Sequence, residues 1–165
     1  MGNDNGISRR GFFALRADAV SRAIRPPWAH EVAVVHACTG CGACVSACPQ
    51  ATIRLDAARL PTVDFRAGEC TLCAGCVEVC PEPVFDRAVT RAFQHRVVIG
   101  DECFTVSGIV CQTCGDRCPE AAIRFPLRRG GPAVPSLALD RCSGCGACIA
   151  ACPAGAISTQ PPAAA

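Results

Sequence analysis

The chain has 165 residues, half of them nominally hydrophobic, yet 16 are Cys and only 5% are aromatic, with one Trp and no Tyr. Too few large side chains remain to fill an ordinary core, and this cysteine density predicts a fold held by metal or disulfide as well as by burial. The formal charge of +2, carried by 16 arginines and no lysine, is too small to argue for nucleic acid, and no apolar run approaches the ~18–20 residues of a membrane span.

Residues 1–30 form a basic arm, with Arg9, Arg10, Arg16, Arg22 and Arg25 set against Asp4 and Asp18. Ser8-Arg9-Arg10-Gly11-Phe12-Phe13 looks like a twin-arginine export signal. Such a signal needs an apolar stretch of about 7–15 residues after the arginines, and Arg16, Asp18 and Arg22 interrupt the segment where it would lie. No Ala-x-Ala site precedes Trp28, so retention in the cytoplasm is expected. Phe13, Val20 and Ile24 share one face of an amphipathic helix that Pro26-Pro27 would end. Because no cysteine precedes Cys38, loss of residues 1–27 is expected to leave metal content unchanged.

The cysteines then organise the chain. Cys38, Cys41, Cys44 and Cys48 are followed by Pro49, and Cys70, Cys73, Cys76 and Cys80 by Pro81. Cys142, Cys145, Cys148 and Cys152 repeat the same C-x2-C-x2-C-x3-C-P spacing before Pro153. Between them Cys103, Cys111, Cys114 and Cys118, before Pro119, keep the last two intervals but stretch the first across Phe104 to Val110. The spacing between groups predicts two modules of two groups each, residues 31–98 and 99–160.

Around each group the local pattern repeats. Val32, Val34 and Val35, Thr62 to Phe65, Arg96 to Ile99, and Leu137 to Leu139 read as short strands before the four groups. Ile53, Phe85, Ile123 and Ile157 mark returning strands after them. The proline after each fourth Cys fixes φ and removes a donor, which stops the turn there. The expected fold is therefore α+β: two tandem modules behind a helical N-terminal arm.

Three thiolates two residues apart can wrap three corners of a cubane, while the fourth, leaving on a turn, reaches the cluster of the paired group. This is the bacterial ferredoxin pattern for [4Fe–4S] clusters. Thiolate is a soft ligand suited to them, and no carboxylate cluster competes. Structural zinc would favour two separated Cys pairs, and a disulfide scaffold would require an oxidising compartment. The crossed sets are then Cys38, Cys41, Cys44 with Cys80; Cys70, Cys73, Cys76 with Cys48; Cys103, Cys111, Cys114 with Cys152; and Cys142, Cys145, Cys148 with Cys118. Four clusters are predicted, and three if the stretched group stays empty. Four would shift the net charge from +2 to about −6.

His30, His36 and His95 read as solvent-side residues, with His36 close enough to Cys38 to tune a cluster. No nucleotide loop or nucleophile elbow is present, so no catalytic residues and no enzyme activity are expected.

Ser8-Arg9-Arg10, then Ile24-Arg25-Pro26-Pro27-Trp28, then four cysteine groups with the third stretched, together resemble the NapF ferredoxin-type proteins of periplasmic nitrate reductase systems. The resemblance covers essentially the whole chain. It implies a cytoplasmic accessory protein that binds the precursor of the nitrate reductase catalytic subunit and assists its iron–sulfur loading before export. That family is often described with three clusters, which would leave the stretched group unassigned. A general electron carrier serving redox partner proteins is the alternative reading, with neither nucleic acid nor membrane span involved in either case.

Overall fold

The computed structural model describes residues 23–161. Five short helices and six short strands alternate along it: α1 (Glu31–Ala37), α2 (Ala43–Ser46), β1 (Ile53–Leu55), β2 (Pro61–Val63), α3 (Gly75–Glu78), β3 (Arg96–Ile99), α4 (Thr113–Asp116), β4 (Ile123–Arg124), β5 (Ser136–Leu137), α5 (Ala147–Ala151) and β6 (Ile157–Gln160). The mixture is α+β, as the cysteine pattern predicts.

Among the described residues all strand pairing is antiparallel and two-stranded. In the second half, the hairpin β4–β5 places Ile123 opposite Leu137, and β3 pairs with β6 from Arg96↔Gln160 to Ile99↔Ile157. In the first half, β1–β2 places Ile53 opposite Val63. Where the second half has its outer pair of strands, the first has a single bridge, Ala29↔Phe85. The expected boundary at 98/99 therefore falls inside β3, a strand that pairs with β6 of the second half.

Burial is concentrated in small clusters. Ile53, Val63, Phe65, Cys76 and Phe93 form one, and Val97, Cys114, Ile123, Cys148 and Ile157 another. A third joins Ala29, Val34 and Val84. Cysteines sit within the two larger cores, where an ordinary domain of this size would place large apolar side chains.

One expectation near the N-terminus fails. Val32 to Val35 lie in helix α1, not a strand. Val34 is fully buried while Val32 and Val35 are exposed, a helical spacing that faces one side chain inward. With no strand edge to pair, the helix satisfies its own backbone, and Glu31 in its first turn suits the dipole. The arm helix, with Phe13 and Val20, lies outside the described residues, and residues 23–26 are not helical.

Residues 24–29 belong to the first module by contact. Ile24 O accepts from Val63 N–H at 2.7 Å, Trp28 N–H donates to Ala92 O at 2.7 Å, and Asp86 N–H donates to Trp28 O at 2.8 Å. Arg25, counted from sequence among the arm's free charges, is buried with its side chain 5% exposed. Its guanidinium donates to both carboxylate oxygens of Glu31 (2.6 and 2.8 Å), to Asp56 (3.3 Å) and to Pro61 O (3.0 Å). These bonds, with burial opposing them, raise its pKa further above the ordinary value. Deletion of residues 1–27 would therefore also remove Arg25 to Pro27, which are buried in the first module.

Candidate metal centres

Each regular cysteine group turns its chain through a left-handed residue at the start of a short helix. Gly42 (φ 81°) precedes α2, and Gly146 (φ 78°) precedes α5. Ala74 (φ 63°) holds the same place before α3, at a steric cost of roughly 1–2 kcal/mol for a residue with a Cβ. The turn sends the third cysteine of each group, Cys44, Cys76 and Cys148, onto the helix. The stretched group enters differently, with Gln112 at φ −131° before α4, because its first ligand arrives along a longer loop.

The folding brings the cysteines together across groups. Cys38, Cys41 and Cys44 line a hollow of about 390 Å³, including its mouth, with Cys80. Cys70, Cys73 and Cys76 line another of about 360 Å³ with Cys48. In the second half, Cys103, Cys111 and Cys114 share a hollow of about 340 Å³ with Cys152. Cys142, Cys145 and Cys148 share one of about 300 Å³ with Cys118. All 16 cysteines are free thiols, and the stretched loop Phe104–Val110 still delivers Cys103 to its hollow.

Four sulfurs around a hollow differ from four sulfurs at a point. Among the described residues, no three Cys, His, Asp or Glu side chains converge closely enough for one ion. A mononuclear zinc would require that convergence, with Zn–S near ~2.3 Å. A cubane would not, since each thiolate binds a different iron. The donor set therefore fits an iron–sulfur cluster.

Electrostatics describe the same sites. Burial, reinforced by neighbouring sulfurs, pushes the Cys76 and Cys148 thiols up to about 12, and Cys70 and Cys114 up to about 11. Buried thiolates need a cationic centre to compensate them. At Cys48 burial works upward, but the Thr52 hydroxyl and nearby backbone N–H groups prevail and lower the thiol. Thr52 Oγ1 lies 3.4 Å from Cys48 Sγ, and Thr105 Oγ1 lies 3.2 Å from Cys103 Sγ. Both threonines are buried. Backbone N–H groups of Gly40 and Ala122 donate to Cys38 and Cys118 sulfurs at 3.4 and 3.3 Å. Hydrogen bonds of this kind are a recognised lever on cluster potential.

Sequence reasoning missed the two threonines and one histidine. Thr52 and Thr105 carry no motif; proximity to a Cys-Pro and to Cys103 was their only signal. His95 is not on the solvent side: both ring nitrogens are shielded without a hydrogen-bond partner among the described residues. It packs against Phe65 and Phe93, with ring centroids 5.4 and 5.0 Å away. Burial pushes its pKa down to about 4; Arg91 adds to the shift and the Gly144 backbone opposes it. His36 contacts no cysteine sulfur by hydrogen bond among the described residues, and His30 caps α1 without a side-chain bond.

Comparison with known proteins points to iron–sulfur domains in both halves. A family profile for a 4Fe-4S dicluster domain matches residues 37–84 and again 108–159. The second match takes in Cys111 but leaves Cys103 outside, at the point where the spacing departs from the motif. The chain is 47% identical over 136 residues to a ferredoxin-type protein NapF of Haemophilus influenzae, covering 82% of this chain and 77% of that protein. It is 38% identical over 155 residues to the NapF protein of Escherichia coli, covering 93% and 94%. A methylamine utilization ferredoxin-type protein MauM of Methylorubrum extorquens is 32% identical over 166 residues, covering 89% and 76%. Among the described residues no helix is long and apolar enough to cross a membrane. With two dicluster domains in tandem and this similarity across both, the chain belongs to the NapF family of ferredoxin-type iron–sulfur proteins.

Proposed function

We propose that the chain carries four [4Fe–4S] clusters and uses them as a cytoplasmic accessory protein of the periplasmic nitrate reductase system. It binds the precursor of the catalytic subunit and assists its iron–sulfur loading before export. The observation that supports this best is the crossed lining of four hollows, each by three thiols of one group and one thiol of its partner group. On this reading Cys38, Cys41, Cys44 and Cys80 hold one cluster, and Cys48, Cys70, Cys73 and Cys76 the second. Cys103, Cys111, Cys114 and Cys152 hold the third, and Cys118, Cys142, Cys145 and Cys148 the fourth. The two units are residues 31–98 and 99–160, with residues 24–29 packed on the former and β3, which spans the boundary, paired with the latter.

The cluster reading is tested by anaerobic reconstitution. About 16 iron and 16 sulfide per chain are expected, against about 12 of each for three clusters. One zinc per group without sulfide would end it. The crossing is tested by paired substitutions. Cys41→Ala with Cys80→Ala should cost about 4 iron, because both serve one site, whereas Cys41→Ala with Cys48→Ala should cost about 8. The opposite pattern would mean that each group holds its own cluster. For the partner, removal of residues 1–22 should leave iron content intact and weaken capture of the precursor.

One observation favours the plain electron carrier as a second reading. Cys41 and Cys73 are exposed, which would bring clusters at their two sites within reach of a redox partner without a dedicated docking arm. Undiminished precursor capture without residues 1–22, together with one-electron exchange with several redox proteins, would favour it.

A further inference from the structure

The two modules meet loop against loop. The backbone N–H of Cys70 donates to Cys145 O at 2.8 Å, so a cysteine loop of each module shares a hydrogen bond with the other. Gly146, one residue on, lies so close to the buried Phe65 ring that a Cβ there would overlap it. At the far side of the seam Arg91 donates to the carbonyls of Leu139 and Cys142 at 2.9 and 3.0 Å. Within each module the two sites also adjoin, since Cys44 packs against the core that holds Cys76, while Cys114 and Cys148 share the other core. Spatial order therefore departs from chain order. The fourth cysteine group meets the second backbone to backbone, while the third reaches it through a side-chain ion pair, Arg117 with Glu69 at 3.8 Å, next to the Cys118 that lines the fourth site.

We infer that the Cys70–Cys145 seam joins the two modules into one electron path, with the four sites in the spatial order first, second, fourth and third cysteine group, rather than two separate pairs. The inference rests on the proposed four-cluster reading. Along the path a single electron leaves one reduced site, which returns to its oxidised state, and reduces the oxidised neighbour. No bond is made or broken and no proton moves; an external one-electron reductant such as dithionite supplies the electron. At the seam the ligand backbones touch directly, with no side chain between them.

Electron paramagnetic resonance of the loaded full-length protein, reduced with dithionite, tests this. Magnetic coupling that spans all four centres is expected. Gly146→Ala should push Phe65 away, open the seam and resolve the signal into two separately coupled pairs, read on the fraction that retains full iron and sulfide because Gly146 also turns the chain toward Cys148. The left-handed turn costs Ala roughly 1–2 kcal/mol but still forms, as Ala74 at φ 63° shows in the second group. The overlap with Phe65 is thus the specific lesion, and adding Phe65→Ala should return the wild-type signal. Arg91→Ala is the second variant, at an exposed residue outside both cores, and should weaken the coupling in the same sense. A wild-type signal of two independent pairs overturns the inference, as does a signal unchanged by both Gly146→Ala and Arg91→Ala. Failure to load iron at all strikes the cluster reading instead, and the iron count alone reveals it.

Discussion

Removal of Arg25 would break a buried ion-pair network that ties the segment before the first cysteine group to its module. The guanidinium is buried and donates four hydrogen bonds, three of them to Glu31 and Asp56 carboxylates and one to Pro61 O. Breaking a buried ion pair by removing one partner costs about 3–5 kcal/mol. Here the Glu31 and Asp56 side chains are 39% and 27% exposed, so water partly recovers both carboxylates and the lower figure applies. We expect Arg25→Ala to destabilise the first module by about 3 kcal/mol. Arg25→Lys keeps the charge but loses the fork, and should fall between Arg25→Ala and wild type. Because loss of clusters makes unfolding irreversible, the proper measure is a rate. Bleaching of the cluster absorbance in urea should be about two orders of magnitude faster for Arg25→Ala, if the loss falls mainly on the unfolding step. Bleaching within about twofold of wild type would refute the argument that this contact secures the module.

Two further outcomes concern buried groups near the sites. His95 stays neutral in the fold to about pH 4 but takes a proton near ~6.5 when unfolded. It therefore costs nothing above that value, and stability falls as pH drops through the window between them. Bleaching of the cluster absorbance in urea should quicken roughly fivefold from about pH 7.5 to about pH 5.5, if the loss of about 1 kcal/mol falls on the unfolding step, and His95→Phe should abolish that share; an identical pH slope in the variant would contradict the burial. Thr105→Val removes the hydroxyl beside Cys103 Sγ at nearly constant volume. With less stabilisation of the sulfur's charge, one reduction potential should become more negative, read by redox titration of the second module, while Thr52→Val does the same in the first; unchanged potentials would show that neither hydroxyl donates to sulfur.

The cysteine arithmetic was legible because cluster ligation imposes spacing directly on the chain. The groups, the strand at Arg96–Ile99 and the hairpin partners around Ile53 and Ile123 are all readable from local pattern. What stayed hidden depended on partners distant in sequence. Arg25 looked like one more arm charge because Asp56 and Pro61 lie 31 and 36 residues on. Val32 to Val35 carried strand-forming residues, but the fold offered no edge, and tertiary context overrode propensity. His95 carried no sign that Phe65, Phe93 and Gly144 would enclose it.

The crossed lining of the hollows also sets a timetable for a chain made from its N-terminus. The hollow of Cys48, Cys70, Cys73 and Cys76 has all its sulfurs once Cys76 is made, whereas the one that begins at Cys38 must wait for Cys80. The site that starts second in sequence is thus completed first. In the second half the wait is longer, since Cys103 stands without its last companion until Cys152 emerges. For that interval its thiols are available to any competing metal or oxidant. The first module can be finished while the second is still open, and a nascent chain stalled between Cys80 and Cys152 would be a half-loaded protein with one closed module.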